Sequence, residues 1–177
     1  MIPVVALTRV DSDQVASGHP MASSYRVVET GVSEAGLSTI TRDGVVPVHI
    51  VPGGRGLARL WEGDGVLSGA DAANSGDDAV TSPAESGPPF PTAGGVRFWT
   101  VTVQPEDLDA PAPAFLHTPT LDVGIVLSGQ IVLEMEDGTA AALSTGQAFA
   151  QQGTPHRWRN PHPADAVIAV VMMGRDQ

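Results

Sequence analysis

The sequence predicts an all-β fold, and three observations carry that prediction. Glycine (20) and proline (15) are abundant among the 177 residues, the apolar segments are short and separated by turn signals, and no window sustains the 3.6-residue periodicity of an amphipathic helix. At 18.2 kDa the chain suits one domain with a sizeable core, because domains usually run to about 100–200 residues.

Taken in order, residues 1–24 read as an extended amino-terminal arm suited to packing across a partner subunit, and residues 25–177 as the domain. Candidate strands are Val45–Val51, Leu57–Trp61, Val96–Val103, Val123–Leu127, Gln130–Met135, Ala140–Leu143, Ala148–Gln151 and Ala166–Met173. In Gln130–Met135 the apolar Ile131, Leu133 and Met135 share one face, as a half-buried strand requires, and Asp137-Gly138 is a tight-turn signal. Alternation along Val96–Val103 allows only one of Phe98 and Trp99 to face inward. The segment Pro52–Gly56 lacks the lysine and the strand-to-helix setting of a phosphate loop and reads as a hairpin turn. Residues 62–95, rich in Gly, Ser, Ala, Asp and Pro, are too polar to bury a face; they read as a flexible loop, either loosely wrapped or a lid over the site. The barrel-forming part is expected at 96–173.

The formal charge of −11 and pI near 4.6 disfavour nucleic acid and anionic membranes, and the nine Lys plus Arg form no basic patch. The absence of cysteine removes thiolate ligands, thiol nucleophiles and disulfides. The amino terminus lacks the form of a signal peptide, and the longest apolar run, Ala166–Met173, is far short of the roughly 20 residues that span a bilayer. The expectation is a soluble cytoplasmic protein whose partner is a small molecule.

The stretch HTPTLDVGIVLSGQIVLEMEDG places His117 and Asp122 just before a strand, a Ser-Gly turn and a second strand, and GTPHRWRN places His156 in a similar setting. These motifs resemble the cupin superfamily, specifically the small single-domain cupin 2 type. His117, Asp122 and Gly129 match the second histidine, the acidic position and the glycine of the first family motif, while Phe115 stands where its first histidine would be. Gly146, Gly153, His156 and Asn160 match the second motif. The stretch RVVETGVSEAGLSTITRDG resembles the amino-terminal part of a small bacterial and fungal cupin group. In that group the first motif reads His-Arg-Thr-x-Thr-x-Asp-Tyr, a register that puts Leu116 at the histidine and His117 at the arginine.

The resemblance implies a jelly-roll-like barrel and one of two chemistries, and because barrel edges otherwise need cover, a homodimer formed by strand addition or an exchanged arm is expected. If His117, Asp122 and His156 converge, two imidazoles and a carboxylate leave the open positions that suit iron, manganese, nickel or zinc. Without metal, His156 or His117 acts as general acid or base and Asp122 holds the tautomer; otherwise Asp122 caps the strand entry and His117 bonds locally. Trp99, Phe149, Trp158 and Gln151 are candidate substrate contacts, with Phe98 and Met172 as further wall residues, against plain core packing. Arg157 and Arg159 alternate with His156 and Trp158 and should point away from the site. His49 is expected as a satisfied buried imidazole, and His19 and His162 as loop bystanders. The leading functional expectation is a lyase or isomerase-type enzyme acting on an organic acid or polyketide-like metabolite by dehydration, decarboxylation, isomerisation or cyclisation. An iron dioxygenase and a silent small-molecule-binding cupin are the rivals.

Overall fold

The computed structural model describes residues 23–63, 90–107 and 109–176. They form eleven strands, β1 Ser24–Val32, β2 Ser38–Pro47, β3 His49–Val51, β4 Arg55–Gly63, β5 Val96–Val103, β6 Thr120–Ser128, β7 Gln130–Met135, β8 Ala140–Ser144, β9 Ala148–Gln151, β10 His156–Arg159 and β11 Ala166–Gly174. No helix among the described residues is long and apolar enough to cross a membrane.

All pairings are antiparallel. A six-stranded sheet runs β3-β4-β5-β11-β6-β9, a three-stranded sheet runs β10-β7-β8, and β1 with β2 forms a separate hairpin. The last strand, β11, pairs on both sides, with β5 and with β6. Its register aligns inward residues in rows. Ile168 lies beside Val101 and Val126, Val170 beside Trp99 and Gly124, and Met172 beside Arg97 and Asp122. Because side chains alternate across a strand, these rows form one continuous wall. Facing it, Ile131 of β7, Leu143 of β8 and Trp158 of β10 join Val103, Val126, Ala166 and Ile168 in the core. Full burial of side chains such as Ile131 and Val126 stabilises the two-sheet packing by about 1.5–3 kcal/mol each.

Strands β5, β7 and β9 occupy the expected residues, and Trp99, at 5% exposure, is the inward member of the Phe98-Trp99 pair. Other expectations need correction. The segment Val45–Val51 is split: β2 ends at Pro47, which lacks an amide donor, and the Val48 amide bonds instead to the Ser23 carbonyl. Strand β1 and the first part of β2 were not expected, because their apolar side chains, Val28, Val32, Ile40 and Val45 among them, face outward and are exposed. This hairpin is held by backbone pairing and by ion pairs between Arg26 and Asp43 (2.7 Å) and Arg42 and Glu29 (2.6 Å). Strand β10 was also not expected. The amino-terminal arm as far as residue 22, His19 included, and residues 64–89 lie outside the described residues. At the margins of the expected loop, Glu62 and Gly63 belong to β4. Pro91 is buried, and the Gly94 and Gly174 amides bond to the Gly174 and Gly95 carbonyls at 3.1 and 2.9 Å.

Candidate active site

A cavity of about 730 Å³ opens between the two sheets. The inward rows of β5 and β11 supply Trp99, Val101, Ile168 and Val170 to its wall, β4 adds Leu57, and Phe149 and Trp158 close it from β9 and β10. Phe149 and Trp158 also pack edge to face with ring centroids 4.8 Å apart, so both are core residues as well as cavity lining. The Phe149 ring fits because Gly124 lies opposite: a Cβ on Gly124 would stand 2.5 Å from Phe149 Cζ.

Two titratable groups from the expected trio reach this cavity, Asp122 from β6 and His156 from β10. Asp122 is 4% and His156 3% exposed. Burial pushes the Asp122 carboxyl up, while the Thr120 hydroxyl and then the nearby His156 pull it the other way. Its Oδ1 is buried without a hydrogen-bond partner among the described residues. The Thr120 hydroxyl lies 2.9 Å from that of Thr118, and both threonines are buried. His156 Nδ1 lies 2.8 Å from the Thr154 carbonyl oxygen. A carbonyl only accepts, so Nδ1 carries the hydrogen and the neutral ring presents Nε2 as its basic nitrogen.

His117 does not join them. It is exposed and absent from the cavity wall, whereas Leu116 and Thr118 on either side of it line the cavity. Strand alternation gives the physical reason, and the backbone fixes the register: Leu116 and His156 exchange amide-carbonyl bonds of 2.7 and 3.0 Å. This placement matches the expected alternative register, with Leu116 rather than His117 directed to the cavity. The expected convergence of His117, Asp122 and His156 therefore fails.

Gln151 reaches the cavity, but its amide is engaged in shaping the turn that carries His156. Its Oε1 accepts from the Gly153 amide and its Nε2 donates to the Thr154 carbonyl at 2.9 Å. Both ends of the amide are thus engaged by the turn. Gly153 itself adopts φ +78°, and a Cβ there would meet the Thr118 and Thr120 carbonyl oxygens at 2.3 and 2.6 Å. The turn is thus pressed against the segment leading to Asp122. Asn160 is wholly buried; its Nδ2 donates to the Val103 and Ala164 carbonyls, both at 2.8 Å, and its Oδ1 accepts from the His162 amide at 3.1 Å.

The donor set does not fit a two-histidine, one-carboxylate metal site. Asp122 and His156 supply two ligands, and among the described residues no group of three His, Asp or Glu side chains is placed to hold an ion. Around the cavity, Arg159 pairs with Glu106 at 2.8 Å and with Glu134 at 3.4 Å, and Arg157 pairs with Glu134 while its guanidinium stacks 4.4 Å from the Phe115 ring centroid. Arg159 lines the cavity although alternation was expected to turn it away. His49 also departs from expectation: its Nε2 is buried without a partner among the described residues. Thr118 and Arg55 also line the cavity, and Thr120 lies beside Asp122; none of the three belongs to the sequence-predicted site. The two threonines were visible as a Thr-x-Thr-x-Asp alternation that puts them and Asp122 on one strand face.

Residues 99–172 match the family model of the cupin domain. Oryzines biosynthesis cluster protein J of Aspergillus oryzae is 36% identical over 74 residues, which is 42% of this chain and 39% of that protein. Phomopsin biosynthesis cluster protein C' of Diaporthe leptostromiformis is 34% identical over 141 residues, 78% of this chain and 66% of that protein. The chain thus spans about two fifths and about two thirds of the lengths of these relatives. Among solved structures, a sugar phosphate isomerase from a cupin superfamily of Silicibacter pomeroyi is 19% identical with a TM-score of 0.42, covering 73% of this chain and 69% of that one. Residues 99–172, which carry most of the strands around the cavity, are thus a cupin domain within this antiparallel two-sheet architecture.

Proposed function

We propose that the protein is a small cupin enzyme of secondary metabolism that acts on an organic acid or polyketide-like metabolite by non-oxidative proton transfer. The observation that carries this reading is the pairing of two unlike titratable groups on an apolar cavity wall. His156 has its tautomer set by Thr154, and Asp122 has its carboxyl pushed up by burial. Groups whose environments differ in this way divide naturally into acid and base. In this scheme His156 Nε2 accepts a proton from carbon next to a carbonyl, and the Asp122 carboxyl, which burial shifts toward its acid form, is the partner group that returns a proton elsewhere on the substrate. Dehydration, decarboxylation, isomerisation and cyclisation all use such a step. The biosynthesis-cluster names of the relatives support a secondary metabolite as substrate.

The test is deuterium exchange. The protein is incubated in deuterium oxide with a panel of β-keto and β-hydroxy acids, and label at the acidic carbon is read by mass spectrometry. Exchange should persist with chelator and fall about 100-fold or more in His156→Asn, whose amide keeps a donor toward Thr154 but no base. Exchange surviving in that variant would sink the assignment of the base. Oxygen consumed with turnover would point to a dioxygenase, and binding without exchange to a silent binding cupin.

A further inference from the structure

Arg55 stands at the start of β4, directly after the turn Pro52–Gly54, and lines the cavity. Gly53 and Gly54 hold φ of +91° and +77°, and a Cβ on Gly54 would stand 2.4 Å from Gln104 Oε1, so the turn is packed closely against the end of β5. Pairing of Leu57 with Val101 and of Arg59 with Trp99 puts Arg55, Leu57 and Arg59 on the inward side of β4. The cation at the far end of this row is committed, since Arg59 bonds to Glu62 at 2.8 Å and lies over the Trp99 ring. Arg55 makes no hydrogen bond or ion pair among the described residues.

The remaining charges on the cavity wall are accounted for. Glu106 is paired with Arg159, Asp107 Oδ1 accepts from the Asp109 amide at 3.0 Å, and Asp122 and His156 form the proton-transfer pair. A half-buried guanidinium beside apolar wall residues is poorly compensated until an anion meets it, and its fork of donors matches a carboxylate in two parallel hydrogen bonds.

We propose that Arg55 is the substrate-anchoring residue of the cavity and that the substrate is a monocarboxylate, its acid group on Arg55 and its apolar body along Leu57, Val101 and Ile168. This inference rests on reading the cavity as a substrate site. One uncommitted cation balances a single negative charge. A phosphate dianion would carry excess charge into a cavity that already holds Glu106, Asp107 and Asp122, in a chain of net charge −11.

The probes are octanoate, octanamide and octyl phosphate, which share one apolar body. Binding to the full chain is followed by the emission of Trp99 and Trp158, both on the cavity wall. The wild type should bind octanoate about tenfold or more tightly than octanamide and more tightly than octyl phosphate. Arg55→Gln should abolish the preference for octanoate over octanamide, and Arg55→Lys should restore part of it. Equal binding of octanoate and octanamide by the wild type, no binding of either, or an unchanged preference in Arg55→Gln would overturn the proposal. Tighter binding of octyl phosphate would overturn the monocarboxylate assignment. Because the readout is binding, the two proposals fail separately. An Arg55-dependent preference without deuterium exchange leaves the anchor standing and removes the chemistry; exchange with an unaltered preference in Arg55→Gln removes the anchor alone.

Discussion

Substituting Gly153 by alanine tests how the second-motif turn holds the candidate site. Gly153 has φ +78°, in the left-handed region that costs a residue with a Cβ roughly 1–2 kcal/mol. The added Cβ would also lie 2.3 Å from the Thr118 carbonyl oxygen and 2.6 Å from that of Thr120. Both are backbone atoms, so no side-chain rotation relieves the overlap, and the shift required costs about 1–3 kcal/mol by analogy with overpacked cores. The sum is about 2–5 kcal/mol. For a chain of 177 residues, with each kcal/mol lowering Tm by about 2–4 °C, the midpoint should fall by about 4–20 °C. Gly138→Ala is the matched control: φ there is +86° and nothing lies within 4 Å of an added Cβ. It should lose only the conformational part, about 1–2 kcal/mol. The assay is thermal unfolding by circular dichroism on both variants. If Gly153→Ala were no less stable than Gly138→Ala, the claim that this turn is pressed against the Thr118–Thr120 backbone would be wrong.

Two further outcomes are expected from stability measurements. Asn160→Ala removes three hydrogen bonds and leaves the Val103 carbonyl facing a buried gap, so urea unfolding should show a loss of about 2–4 kcal/mol with an unchanged m-value. In Asp122→Asn the effect should depend on pH, because burial raises the folded carboxyl above its unfolded value of about 3.9. Stability from the raised carboxyl is fully present below that unfolded value and is lost as pH rises through the folded one. The variant should therefore gain on the wild type from about pH 4 upward while losing proton-transfer activity, and a difference that stays flat between acid and neutral pH would contradict the burial argument.

The parts of the fold legible in the sequence are those where burial imposes a period on the side chains. Strand β7 shows it, with Ile131 and Leu133 turned to one side and the Asp137-Gly138 turn marking its end. The β1–β2 hairpin does not: its exposed valines and its half-buried Glu29 and Arg42 invert the usual pattern, since what holds it is charge pairing and backbone bonding. At the site, Asp122 and His156 were legible by spacing, whereas His117 was misplaced because a slip of one residue reverses the face of every side chain in an extended segment. That register is set by a long-range bridge between Leu116 and His156. Arg55 was missed for a related reason. It follows two turn glycines, and its inward direction is set by the pairing of β4 with β5, about forty residues later in the chain.

The motif residues that the chain shares with the cupin pattern fall into two kinds, and the division explains why family and chemistry part company here. Gly129, Gly153 and Asn160 answer to the backbone. Gly129 holds φ +77° with an added Cβ only 2.5 Å from the Asp165 carbonyl oxygen, Gly153 is pressed onto Thr118, and Asn160 ties the end of β5 to the segment before β11. None of these demands depends on what the cavity does, so a barrel keeps them whatever it binds. Asp122 and His156 answer to the cavity, and there the set is thinned: Leu116 fills the position of a donor, and Gln151 gives its amide to the turn. A match to the motif therefore testifies to the barrel far more strongly than to a metal. The chemistry has to be argued from what the wall presents: one tautomer-fixed imidazole, one buried carboxyl and one uncommitted guanidinium around an apolar space.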